Sequence, residues 1–168
     1  MTIAIFAVLG GTNFTILYFL FTGKFDIVRD RELNIYLLII LLLTLTVSII
    51  NLDRYDIVES VRYSFFQVVS ILTTTGYTTA NFDDWSGGAK ILLLIAMFIG
   101  GCSGSTAGGI KIIRLYILSK YSIHQIIKSA EPKVVKTIKY GSKALRSDTI
   151  EGVLAFFVLY IFLFSISS

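Results

Sequence analysis

The sequence predicts an all-α integral membrane protein, built on a repeat of outer helix, re-entrant pore loop and broken inner helix. Three observations point there. Hydrophobic residues make up 55% of the 168 and charged ones 15%, with a mean hydropathy of +0.78. A soluble domain of this size needs far more polar surface. Leu33 to Leu52 is a nearly unbroken apolar run of 20 residues, about 30 Å of helix and so one bilayer core. Finally, two stretches rich in glycine and hydroxyl side chains, one around Gly76 and one from Gly100 to Gly109, interrupt this oily chain.

Ile3 to Phe21 comes first, apolar but interrupted by Gly10, Gly11, Thr12 and Asn13. It lacks the basic head and A-x-A site of a signal peptide, so it reads as a membrane helix. A short stretch, Lys24 to Glu32, carries three basic residues against three acids. In the Leu33–Leu52 helix, Glu32 and Asp53-Arg54 mark the two expected water boundaries. Asp56 to Leu72 differs: it holds Asp56, Glu59, Arg62 and Gln67, yet Val58, Val61, Phe65, Phe66, Val69 and Leu72 recur at helical spacing. That is a helix without a spanning run. A pore helix descending partway and ending at Thr73 fits it, as does an amphipathic helix lying flat at the interface.

Thr78 to Gly88 is polar. Its Asp83 and Asp84 suit either a cation-concentrating mouth or a solvated loop, and Trp85 suits the headgroup layer. Ile91 to Ile117 is long enough to span, but its centre holds five glycines in the ten residues 100–109. Each glycine costs a helix interior about 1 kcal/mol, so a helix broken by a loop is expected. From Lys111 to Arg146 nine Lys or Arg stand against one acid, Glu131, which places this face in the cytoplasm. Lys111 and Arg114 read as interface anchors. Val153 to Phe164 begins another apolar helix.

Composition also excludes chemistry. The single Cys102 and single His124 rule out a disulfide framework and a His or Cys metal cluster. No cofactor and no nucleic-acid partner are expected, and the bilayer itself is the first partner.

Ser70-Ile-Leu-Thr-Thr-Thr-Gly-Tyr-Thr-Thr79 is the most informative stretch. Backbone that leaves a helix at membrane depth must find partners, because hydrocarbon offers none. A Thr-Thr-Gly-Tyr turn can present carbonyl oxygens that replace the water shell of a potassium ion, and Gly76 tolerates dihedrals that strain other residues. A helix C-terminus aimed at the turn favours a cation there. The competing reading is that the threonines merely cap the helix end.

The glycine segment has competing readings too. Gly100, Gly104 and Gly108, spaced by four, suit close helix packing. Gly101-Cys-Ser-Gly104 matches a rhomboid-like intramembrane serine protease motif, although that serine needs a base and His124 lies in the basic segment. Gly109-Ile-Lys111 lacks the order of a phosphate-binding loop.

Together, the 70–79 segment and Met97-Phe-Ile-Gly-Gly-Cys-Ser-Gly-Ser-Thr-Ala-Gly-Gly-Ile-Lys111 closely resemble the TrkH/KtrB family of potassium uptake proteins, over essentially the whole chain. The resemblance implies four repeats of outer helix, pore loop and inner helix around one pore. Residues 1–23 then correspond to the end of one repeat (its inner, M2, helix) and 24–119 to a complete repeat. Residues 120–147 form a basic cytoplasmic segment, and 148–168 begin the next repeat. Phe6-Ala-Val-Leu-Gly-Gly-Thr-Asn13 echoes Met97-Phe-Ile-Gly-Gly-Cys-Ser103, in keeping with such a period.

One pore loop cannot enclose an ion path, so three more are expected outside this stretch. The resemblance assigns Thr74, Thr75, Gly76 and Tyr77 to the selectivity filter, binding K+ through backbone carbonyls. It assigns Gly100, Gly101, Cys102, Ser103, Gly104, Ser105, Thr106, Ala107, Gly108 and Gly109 to an intramembrane gate loop. It also implies a multi-pass protein of the inner or plasma membrane, a homodimer of the full subunit, a cytoplasmic ring of nucleotide-binding regulatory subunits, and no enzymatic activity.

Overall fold

The structure is a computed structural model describing residues 1–23, 30–130, 139–140, 143–144 and 147–167. Much of the Lys24–Glu32 stretch and of the basic segment 120–147 therefore lies outside the described residues. The chain divides into two compact units, residues 1–112 and 113–168.

In the first unit the apolar opening is not one helix. It forms α1 (Thr2–Gly10) and α2 (Phe14–Phe21), bent by 111°. The break has a local cause: Asn13 leaves helical dihedrals and its side chain accepts the Thr15 N–H at 2.8 Å, starting α2 afresh. The outer helix α3 (Arg31–Ile50) is capped by Asp30, whose carboxylate accepts the N–H groups of Glu32 and Leu33. A 3-10 turn, Asn51–Asp53, ends it. With that turn, α3 is long and apolar enough to cross a membrane.

Helix α4 (Ile57–Leu72) is the short amphipathic helix the sequence predicts. It lies against α3 rather than flat on a surface. Ser60 and Ser64 are fully buried between the two helices. The Ser60 hydroxyl donates to the Ser48 carbonyl at 2.7 Å, and the Asn51 amide donates to the Ser64 hydroxyl at 3.4 Å. Small hydroxyl side chains let the backbones approach and satisfy each other, which apolar lipid cannot do. Helix α5 (Gly87–Phe98), started by Ser86, closes the group.

The core is made by Tyr36, Val47, Val68, Val69, Leu72 and Trp85, with Ala89, Leu93 and Ala96 from α5. Trp85, expected at the headgroup layer, is 3% exposed and belongs to this core. Leu37, Leu38, Leu41, Leu42, Leu45 and Ile49 leave an apolar ribbon of α3 uncovered, a surface fit for lipid or other membrane helices.

The second unit holds α6 (Ile112–Ala130), of which Ile112 itself belongs to the first unit, a two-residue antiparallel pair β1 (Lys139–Tyr140) and β2 (Lys143–Ala144), and α7 (Ser147–Ser167). Within α7, Asp148–Ile166 is also long and apolar enough to cross a membrane. Arg114 is no isolated anchor, since its guanidinium lies 3.9 Å from the centre of the Phe156 ring.

The α3–α4 seam sets a test. Ser60→Val adds bulk at a fully buried contact and should cost about 1–3 kcal/mol, read as a lowered thermal midpoint of the full-length subunit in detergent. Ser60→Ala, which loses only the hydrogen bond, should cost about 1 kcal/mol. Equal midpoints for Ser60→Val and the parent would contradict this packing.

Candidate functional site

At the end of α4 the chain doubles back beneath its own helix. Thr73 caps it, with its N–H and hydroxyl both on the Val69 carbonyl, at 3.0 and 2.7 Å. The next three N–H groups also return to the helix end: Thr74 to the Ile71 carbonyl at 3.0 Å, Thr75 and Gly76 to the Ser70 carbonyl at 2.9 and 3.4 Å. In a trans peptide the carbonyl of one residue points opposite to the N–H of the next. The carbonyls of Thr73, Thr74 and Thr75 therefore aim away from the helix end.

The backbone dihedrals alternate to achieve this. Thr74 has φ +54° and Gly76 φ +79°, while Thr73 lies at −90° and neither Thr75 nor Tyr77 is positive. A β-branched residue at positive φ costs about 1–3 kcal/mol and persists only where its surroundings impose it. Among the described residues Thr74 is the only non-glycine so placed. Its hydroxyl donates to the Thr73 carbonyl at 2.7 Å and accepts the Gly108 N–H at 2.9 Å.

Among the described residues, the carbonyls of Thr74, Thr75 and Gly76 accept no hydrogen bond, and all three residues are exposed in this chain. The Tyr77 carbonyl differs, because it accepts the Ser70 hydroxyl at 2.6 Å. The threonines thus divide. Thr73 does cap the helix, as the competing reading holds, while Thr74 and Thr75 carry the unpaired oxygens. A cleft of about 400 Å³ opens beside Gly76, bordered also by Gln67, Ser70, Ile71, Lys90 and Leu93.

The glycine segment between α5 and α6 is a closed loop. Its neck is a parallel bridge between Ile99 and Ile110, with the Gly100 N–H on the Ile110 carbonyl at 2.9 Å and the Ile110 N–H on that of Phe98 at 3.0 Å. A Cβ at Gly100 would lie 2.0 Å from the Gly108 carbonyl oxygen, so only glycine fits there. Gly100 and Gly108 therefore meet across the neck of a loop, and the reading of them as a helix-packing stripe fails.

The loop is stitched to three places. The Cys102 N–H donates to the Gly11 carbonyl at 2.9 Å. The N–H and hydroxyl of Thr106 donate to the Gly10 carbonyl at 3.2 and 3.0 Å, and the Gly104 carbonyl accepts the Phe14 N–H at 3.3 Å. Gly108 reaches Thr74, and the Ser103 N–H donates to the Glu32 carboxylate at 2.5 Å.

Two residues expected at water boundaries are part of this assembly. Glu32 is 5% exposed. Lys111 turns its ammonium back into the loop, donating to the carbonyls of Ser105 and Ala107 and to the Ser105 hydroxyl. Their charges suggested solvent; the loop's return past the N-terminus of α3 buries Glu32, and the loop's own carbonyls half-bury Lys111. At the other end of the unit, Asp84 accepts from Asn81 at 3.0 Å and lies 3.8 Å from Arg54. That pair is half-exposed and worth little to stability, but it blunts the acidic charge expected there. Among the described residues no group of His, Cys, Asp and Glu could hold a metal ion.

Comparison with known proteins follows this geometry. The family model for TrkH, described as a cation transport protein, matches residues 31–168. The Trk system potassium uptake protein TrkH of Salmonella typhimurium is 36% identical, over 98% of this chain and 35% of its own length. TrkG of Escherichia coli, also named a Trk system potassium uptake protein, is 35% identical over 92% of this chain and 33% of its own. The crystal structure of the potassium transporter TrkH from Vibrio parahaemolyticus superposes with a TM-score of 0.90 at 33% identity, covering 97% of this chain and 36% of that one. The chain thus spans about a third of the length of the proteins it matches.

The loop neck predicts that Gly100→Ala speeds amide exchange across residues 100–110 of the full-length subunit by at least an order of magnitude. Gly87→Ala, where a Cβ meets nothing within 4 Å, should leave it unchanged. Equal protection in the two variants would contradict the close approach.

Proposed function

The chain belongs to the TrkH family of cation transport proteins, and on that premise we propose that it forms one pore-lining repeat of a potassium uptake subunit. The observation that carries this reading is the row of unpaired carbonyls at Thr74, Thr75 and Gly76, the first two turned away from the end of α4. Oxygens without hydrogen-bond donors are the groups that can stand in for water around a bare cation. They sit at the negative end of a helix dipole, which adds to the preference for positive charge. Tyr77 contributes the fourth oxygen of the row, shared with the Ser70 hydroxyl. Potassium is the cargo, and the reaction is conduction without covalent chemistry.

The loop Gly100–Gly109 is the gate in this proposal. It is bonded directly to the filter strip through Gly108 and Thr74, so it lies against the ion path rather than elsewhere in the bundle. Its glycines permit the backbone to move between arrangements, Gly104 and Gly109 already standing at φ +69° and +68°. Three sister repeats from the rest of the subunit complete the ring. The subunit is a multi-pass protein of the inner or plasma membrane, a homodimer, and docks on a cytoplasmic ring of nucleotide-binding regulators, with the basic segment 120–147 as a docking surface. A protease reading gains no support, since the relatives are named as uptake proteins.

Gly76→Ser in the full-length subunit tests the filter. A side chain at φ +79° is strained by about 1–2 kcal/mol, so the potassium-over-sodium preference should fall about tenfold in liposome flux while membrane insertion is unaffected. An unchanged preference would rule out this strip as the filter.

A further inference from the structure

Glu32 has no role in the filter, yet it is 5% exposed in the first turn of a membrane helix. A carboxylate removed from water costs several kcal/mol unless it is hydrogen-bonded and met by positive charge. Both conditions hold here. Asp30 fixes the backbone of Glu32 by accepting its N–H at 2.7 Å, and the positive end of the α3 dipole lies beneath it. Its Oε1 then receives the N–H of Ser103 at 2.5 Å, 71 residues on in the chain.

We propose that Glu32 is a positioning residue that holds the loop Gly100–Gly109 in its closed arrangement through the Ser103 N–H. This rests on the reading of that loop as a gate. Three consecutive loop residues are anchored: Cys102 to the Gly11 carbonyl, Ser103 to Glu32, and Gly104 to the Phe14 N–H. Two of these anchors are backbone to backbone. The middle one is charge-assisted, a class about twice as strong as neutral hydrogen bonds, and it alone depends on a side chain. Loss of the carboxylate frees the loop at its middle while the neck at Ile99 and Ile110 stays intact.

The test uses the full-length subunit in liposomes, with Cys102 as the reporter after any other cysteines are replaced. Cys102 is fully buried and a free thiol, so its alkylation by a water-soluble maleimide reads displacement of the loop, and rubidium flux reads conduction. Glu32→Gln is expected to raise both by about tenfold with the potassium-over-sodium preference unchanged. Glu32→Asp, which keeps the charge one methylene short, should fall between Glu32→Gln and the parent, and it decides the matter if Glu32→Gln does not assemble. Unchanged alkylation in these variants overturns the proposal. Deletion of 103–108 separates the two ideas. Flux that does not rise on deletion removes the gate reading, whereas flux that rises on deletion but not with Glu32→Gln removes only the role of Glu32.

Discussion

Everything in the first unit depends on what becomes of peptide groups that leave a helix away from water. Hydrocarbon supplies no partners, and each unsatisfied group costs several kcal/mol. The chain leaves helical structure around Gly10–Asn13, after Leu72 and between Phe98 and Ile112. These irregular segments satisfy one another. Carbonyls freed at Gly10 and Gly11 take N–H groups from the glycine loop, the loop returns a carbonyl to Phe14, and Gly108 finds the Thr74 hydroxyl. Among the carbonyls that this mutual satisfaction leaves over is the short row at Thr74, Thr75 and Gly76.

The same bonds couple the strip to the loop. Thr74 holds a dihedral that its branched side chain resists, and one of the two bonds to its hydroxyl comes from Gly108. The Gly108 end of the loop, beside the neck, therefore supplies part of what holds the strip in shape. The close approaches on which this depends are narrow. A Cβ at Gly11 would lie 2.2 Å from the Tyr36 hydroxyl, and one at Gly101 would lie 2.6 Å from the Gly11 carbonyl oxygen. Tyr36 itself reaches across to the Val8 carbonyl at 3.2 Å, which ties α3 to α1 beneath the loop.

Much of this was legible in the sequence because it follows from local chemistry. Helical spacing without a spanning run marked α4, and the run at Leu33–Leu52 marked α3. Five glycines in ten residues marked a break between α5 and α6. What was not legible depends on chain return. The 111° bend between α1 and α2 is visible only as Gly-Gly-Thr-Asn, which also suits a helix with a mild kink. Glu32 and Lys111 looked like boundary charges because nothing near them in sequence shows that a loop folds back onto one and around the other. The burial of Trp85 in the core is likewise invisible in its local sequence. Gly100, Gly104 and Gly108 have helix-packing spacing, and only the cost of so many glycines argues against a helix there.

The central claim is that the backbone oxygens of Thr74, Thr75 and Gly76 are left unpaired in order to hold a cation. Anomalous diffraction from crystals of the full-length subunit grown with rubidium addresses it directly. The account predicts rubidium density in coordination contact with these three oxygens, on an axis shared with the sister repeats. Ordered protein at this strip with rubidium absent from it, or those oxygens paired to neighbouring N–H groups in the assembled subunit, would contradict it.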